Sequence, residues 1–242
     1  MPEIESDRAV LLTESYKKTE GKPMNVRRGE AFAHILKNIP ITIRPYELIV
    51  GSKNKKPRSC QIFPEYSFSW LEDEFDAVST RSADPFDISE ETKAALKEVF
   101  RYWEGKTTSD LALSYMSEGA KLAMDHNIFT PGNYFYNGVG HVSVNYGEVL
   151  AIGFEGIMNK AKASLEKIKD GDVDCVKRRA FLEGVITSLD AACKYAERYA
   201  LLALEMVKSE TDPVRKMELA IIANNCVNVP RKGATSFYEA CQ

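Results

Sequence analysis

The chain has 242 residues, a formal net charge of -3 and 44% hydrophobic residues. That is enough apolar material for one large domain or two small ones with a real core. The weak acidity and the short basic clusters (Arg27-Arg28, Lys53 with Lys55-Lys56, Lys177 to Arg179) argue against nucleic acid or an anionic membrane surface as partners. No apolar run approaches the ~20 residues that span a bilayer, and the start carries no secretory signal.

The five cysteines, Cys60, Cys175, Cys193, Cys226 and Cys241, are odd in number and form no CxxC pair. A disulfide framework and a thiolate metal site are therefore not expected, and a reducing cytoplasm fits best.

In chain order, Ala9, Leu12 and Tyr16 recur at helical spacing before a polar break at Thr19 to Pro23. A second helix is expected from about Asn25, carrying Ala31, Phe32, Ile35 and Leu36 and stopping before Pro40. Ile39 to Gly51 is rich in Ile and Val, is interrupted by two prolines, and reads as short extended pieces. Ile62 to Phe86 predicts irregular structure with a short helix near Leu71 to Val78. Ser89 is an N-cap, Glu90 and Glu91 suit the first turn, and Leu96, Val99, Phe100 and Trp103 form a stripe ending at Gly105. One further short helix is expected over Ser109 to His126.

Phe129 to Tyr146 is neither helix nor flexible linker. It holds glycines, aromatics and His141, without an acid or a base. Long amphipathic helices follow. Val149, Ile152, Gly156 and Ile157 share a face, and Gly153 and Gly156 allow a close neighbour. Phe181, Val185, Leu189, Ala192, Ala196, Tyr199, Ala203 and Met206 form one stripe. Asp212-Pro213 restarts a helix whose buried side is read as Met217, Ala220 and Ile221. Ser236-Phe-Tyr-Glu239 has the pattern of a capping box. It opens a helix with only Ala240, Cys241 and Gln242 behind it, which suggests a polypeptide that continues.

Few residues announce chemistry. Gly138-Val-Gly140-His-Val-Ser143 resembles half a dinucleotide fingerprint but lacks the third glycine and the βαβ context. His34 reads as a partly exposed packing residue and His126 as a helix C-terminal cap. His141 has two readings, a ligand contact or a satisfied buried histidine. No catalytic carboxylate pair, activated cysteine or metal-ligand cluster can be named.

Several segments nonetheless resemble one family. They are Arg8 to Ser15, Arg27-Arg28, Ile35 to Arg44, Glu47 to Ser52, Phe63-Pro64-Glu65, Trp70-Leu71, Tyr102-Trp103 with Gly105 to Thr108, Gly132 to Val142, and Ser236 to Gln242. Together they resemble the amino-terminal part of glycyl radical enzymes, the pyruvate formate-lyase-like family. Tyr136 to Val142 is the most specific run. It is similar to the B12-independent glycerol dehydratase branch, with propanediol dehydratases and choline lyases as near relatives.

The resemblance implies a mainly α fragment with few short strands, the amino-terminal helical portion of a ten-stranded β/α barrel. Residues 1–242 would be the amino-terminal part of the family domain, without its catalytic cysteine loop or its carboxy-terminal glycine radical domain. It implies elimination of water from glycerol or a related vicinal diol to give an aldehyde, without cobalamin. No cofactor would bind this chain directly; the glycyl radical lies outside it and is installed by an S-adenosylmethionine iron–sulfur activating enzyme. That activating enzyme, the diol and a second copy of the chain are the implied partners. His141 falls on the family histidine that hydrogen-bonds a substrate hydroxyl. No catalytic residue carries over, because none of the five cysteines matches the thiyl position. The rival reading is a non-catalytic helical module or degenerate paralogue, motivated by the small-residue stripe Ala192, Ala196, Ala203.

Overall fold

The computed structural model describes residues 1–132, 136–138 and 140–242. Among the described residues it is mainly helical, with two short strands. Two compact units divide the chain, each from two separate stretches. Unit 1 is Met1–Thr13 with Lys56–Ser143, and unit 2 is Glu14–Lys55 with Val144–Gln242. The boundary falls inside helix α1 (Asp7–Lys18).

In unit 1, strand β1 (Glu3–Glu5) pairs in parallel with β2 (Ser59–Gln61), with Ile4 opposite Cys60. Helix α3 (Ser69–Glu72) and a 3-10 turn at Val78–Thr80 follow. They are shorter than the helix expected near Leu71 to Val78. Helix α4 (Glu90–Trp103) forms as its sequence dictates. Ser89 Oγ accepts from the Thr92 N–H at 3.1 Å, and Gly105 takes the left-handed turn after the last residue with φ 69°. Its stripe of Leu96, Val99, Phe100 and Trp103 is buried. Phe68 and Phe75 stack on Phe100 at 4.5 and 5.9 Å, and the Trp103 indole donates to Thr13 Oγ1 at 2.8 Å.

The single helix expected over Ser109 to His126 is two, α5 (Thr108–Tyr115) and α6 (Glu118–Asp125). The break has a local cause. Ser117 bonds the Ala120 N–H through its side chain, which starts a new helix instead of continuing the old one.

In unit 2, α2 (Met24–Asn38), α7 (Tyr146–Glu166) and α9 (Pro213–Asn228) each pack on α8 (Cys175–Ser209), and α8, α9 and residues 41–50 enclose a core of Ile43, Val50, Tyr199, Ala203, Leu219, Ile222 and Cys226. Helices α2 and α8 touch backbone to backbone. A Cβ on Gly29 would lie 2.8 Å from the Gly184 oxygen, and one on Gly184 2.5 Å from the Asn25 oxygen. Arg198 then seals the end of α2, donating to the carbonyls of Leu36 and, at 2.8 Å, Ile39.

Residues 40–55 are extended and turned rather than paired as strands. Side chains satisfy their backbone. Tyr195 and Tyr199 both donate to the Ser52 carbonyl at 3.0 Å. Gln242 holds Val50 through both its N–H and its C=O at 3.1 Å.

Gly153 permits close approach, as expected, by breaking the helix. At φ 63° it interrupts α7 and admits the backbone of residues 230–234. Phe154 N–H then donates to the Pro230 carbonyl at 2.8 Å and Glu155 N–H to Arg231 at 3.0 Å. The atoms nearest a Cβ on Gly156 belong to the Ile152 side chain of its own helix.

Two face assignments need correction. On α8 the C-terminal half of the expected stripe holds, with Tyr199 and Ala203 buried and Ala196 and Met206 packed on the core, but Phe181 is exposed and the N-terminal half buries Ala180, Gly184 and Ala191 instead. On α9 the buried side is Arg215, Leu219, Ile222, Ala223 and Cys226; Met217, Ala220 and Ile221 are exposed. Arg215 decides the rotation. Its guanidinium donates to the carbonyls of Glu47 and Arg44 at 3.0 and 3.1 Å and to Glu218 at 2.9 Å, so the charge is buried against three acceptors.

The last helix, α10 (Phe237–Cys241), opens on Ser236 as expected, with its Oγ accepting from the Glu239 N–H at 3.1 Å. The Glu239 carboxylate accepts from the Thr235 hydroxyl and N–H at 2.6 and 2.7 Å, and from Asn228 Nδ2 at 3.2 Å. These bonds favour the ionised form and hold its pKa below the ordinary carboxylate value.

Candidate functional site

The segment around His141 belongs to unit 1, where its surroundings begin with Arg8. The first residues of α1 sit beside the end of β2. Gln61 accepts from the Arg8 backbone N–H at 3.0 Å and donates to Glu5 Oε2 at 2.7 Å. The Arg8 guanidinium grips Glu65 with both arms, at 3.1 and 2.5 Å, and lies 3.7 Å over the Phe63 ring. From the other side, the start of α5 holds the same turn. The N–H groups of Thr108 and Ser109 donate to the carbonyls of Glu65 and Tyr66 at 3.0 and 3.1 Å. The Thr107–Asp110 capping box fixes that helix start. Phe63 to Ser67 is therefore a turn held from both sides.

Against this turn lies the glycine-rich segment. Ser67 Oγ donates to the Tyr136 carbonyl at 2.7 Å. A Cβ on Gly138 would come 2.5 Å from the Tyr66 hydroxyl oxygen, so glycine is what the contact allows. Phe63, Tyr66, Trp70, Tyr136 and Gly138, with Cys60 to Ile62 and Ser67, line a cavity of about 460 Å³. Asn133, Tyr134, Phe135 and Val139, part of the run that carried the resemblance, lie outside the described residues.

His141 follows this anchor by three residues. It is exposed and does not line the cavity. It is not the satisfied buried histidine of one of its two readings. The other histidines take the structural roles read from the sequence. His34 is half-buried, with its ring 2.9 Å from Glu14 and 3.2 Å from Asn38. His126 is the C-cap of α6. No disulfide joins any of the five cysteines. Burial raises the thiol pKa of Cys193, and that of Cys226 to about 11, which keeps both protonated and unreactive near neutrality. Among the described residues no group of three or more His, Cys, Asp or Glu is placed to hold a metal ion, and no helix is long and apolar enough to cross a membrane.

The family model for pyruvate formate lyase-like proteins matches residues 1–242. The chain belongs to the pyruvate formate lyase-like family. Among solved members, a structure concerned with 1,2-propanediol dehydration in Roseburia inulinivorans superposes with a TM-score of 0.97 at 57% identity. That match covers 100% of this chain and 29% of the other. The glycerol-bound B12-independent glycerol dehydratase from Clostridium butyricum gives 0.96 at 56%, covering 100% and 31%. Among curated relatives, a (2S)-3-sulfopropanediol dehydratase from Klebsiella oxytoca is 34% identical, over 99% of this chain and 30% of its own length. The chain thus spans about 30% of the curated relatives it matches. The helical fold expected for the amino-terminal portion of a glycyl radical enzyme is the fold found.

Sequence reasoning singled out His141 but not the turn that braces the segment before it. Arg8 and Phe63-Pro64-Glu65 both stood among the family-like runs. What went unread was that the two runs meet, since 57 residues separate Arg8 from Glu65.

Proposed function

We propose that residues 1–242 form the amino-terminal part of a glycyl radical dehydratase. Its reaction would remove water from glycerol or a related vicinal diol to leave an aldehyde, without cobalamin. The observation that carries this is the 56–57% identity, over the whole chain, to the glycerol dehydratase and to the protein of the propanediol dehydration structure. Identity to the sulfopropanediol dehydratase is 34%. His141 is the residue offered to a substrate hydroxyl. An exposed imidazole can donate or accept there, and its ring makes no hydrogen bond to a described residue.

The radical glycine and the thiyl cysteine belong to parts of the polypeptide outside these residues. An S-adenosylmethionine iron–sulfur enzyme installs the radical, in a reducing cytoplasm that suits five cysteines with no disulfide among them. The rival reading as an interaction module is weakened by α8 itself, whose Ala203 is spent inside unit 2.

The test uses the longer protein carrying this chain, activated under strict anaerobiosis and offered glycerol and 1,2-propanediol. Aldehyde formation is expected, and none from residues 1–242 alone. His141→Ala should lower kcat/KM about tenfold, the worth of a hydrogen bond of about 1.4 kcal/mol. Unchanged kcat/KM would remove His141 from the site, and no aldehyde from either diol would remove the substrate class.

A further inference from the structure

His141 lies in a segment without regular structure, and a residue that must meet a substrate needs a fixed backbone. The structure shows where such fixing could come from. The turn Phe63 to Ser67 is rigid by construction: Arg8 holds Glu65 and covers Phe63, and α5 caps the carbonyls of Glu65 and Tyr66. Tyr66 N–H closes the turn on the Phe63 carbonyl at 3.2 Å, and the two rings stack at 6.4 Å. Ser67 is buried and donates its one hydroxyl hydrogen to Tyr136 at 2.7 Å. Two residues further on, Gly138 lies directly against the Tyr66 phenol.

The contacts differ in kind, one a directed hydrogen bond and the other a steric stop. Together they restrict both the height and the rotation of the backbone at residues 136–138.

We propose that Ser67 and Tyr66 are positioning residues for His141: they clamp residues 136–138 and so set where the imidazole stands. The proposal rests on the reading of His141 as a substrate contact, but its physical core does not depend on turnover. Releasing the Ser67 bond adds unclamped states to the segment. Apparent affinity then falls by the fraction of molecules left competent. Loss of one neutral hydrogen bond limits that fall to about fivefold.

The test has two arms. In residues 1–242 labelled at histidine, the His141 imidazole signals are followed by NMR, with His34 and His126 as internal references. Ser67→Ala and Gly138→Ala are expected to shift or broaden His141 alone, and Ser67→Thr, which keeps the hydroxyl, to restore the wild-type signal. Tyr66→Leu removes the steric stop, so adding Gly138→Ala to it should bring no further change. In the activated longer protein, Ser67→Ala should raise KM about fivefold with kcat held. His141 signals that stay the same in both Ser67→Ala and Gly138→Ala would overturn the clamp. A shifted His141 in a protein that dehydrates no diol would leave the clamp standing and overturn the proposed function instead.

Discussion

Replacing Gly184 by alanine sets two opposed effects against each other, and the geometry decides the sign. In a helix interior alanine is favoured over glycine by up to about 1 kcal/mol. At Gly184, however, the new Cβ would stand 2.5 Å from the Asn25 carbonyl oxygen and 3.1 Å from its carbon. An ordinary C···O contact begins near 3.3 Å, so α2 and α8 would have to part by roughly 0.8 Å. Neither atom can rotate away, since both partners are backbone.

Overpacking of this kind costs about 1–3 kcal/mol, and a gap that size also forfeits a quarter to a half of the dispersion between surfaces that touched. The net expectation is a loss of about 1–2 kcal/mol, or about 3–6 °C in melting temperature for a chain this long. Thermal unfolding followed by far-ultraviolet circular dichroism measures it. Gly119→Ala on α6 is the control. Nothing lies within 4 Å of its Cβ position, so a gain of about 0.4–1 kcal/mol is expected there. A Gly184→Ala chain that melts at or above the wild type would refute the reasoning.

Two further outcomes are expected. Glu239 has its folded pKa held below the ordinary 4.5 by bonds from Thr235 and Asn228. Its contribution to stability is therefore present above about pH 4.5 and is lost as the pH falls through the lower folded value. The stability difference between wild type and Glu239→Gln, taken from urea unfolding at several pH values, should shrink on acidification; a difference that grows would contradict the assignment. Cys226 and Cys193 are buried, with thiol pKa values pushed up by that burial. Alkylation at pH 8 read by mass spectrometry should modify the exposed Cys241 and spare both until urea unfolds the chain.

Much of the helical layout was legible because its signals act within a single turn. Ser89, Gly105, Asp212-Pro213 and Ser236 each start or stop a helix through neighbours four residues away or fewer. The break between α5 and α6 was missed although Ser117 carried a signal of the same type. The rotation of α9 was misread for a different reason. The helix has apolar residues on both sides, and its buried side holds Arg215 and Asn225, which hydropathy assigns to water. Beside Glu218 on the same helix, the carbonyls of Arg44 and Glu47, 171 and 168 residues away, make burial of that arginine tolerable. The β1–β2 pair is three residues long on each side, too short for an alternating pattern. His141 stood out by its glycine and aromatic neighbours; the Tyr66–Ser67 turn beneath them did not, because Ser67 and Tyr136 are 69 residues apart.

The order of the pieces along the chain has a consequence for synthesis. Both stretches of unit 1 have been made once Ser143 is added, so that unit can close while translation is still in progress. Helix α2 must wait. Its partner α8 comes much later, and the Arg198 contact with Leu36 joins residues 162 apart. Until then the Gly29 face of α2, built for direct backbone contact, stays open to water or to other chains. The closure entropy of so long a loop grows only slowly with length, so the delay exacts little in final stability. What it lengthens is the time during which an unpaired helix is exposed on the ribosome.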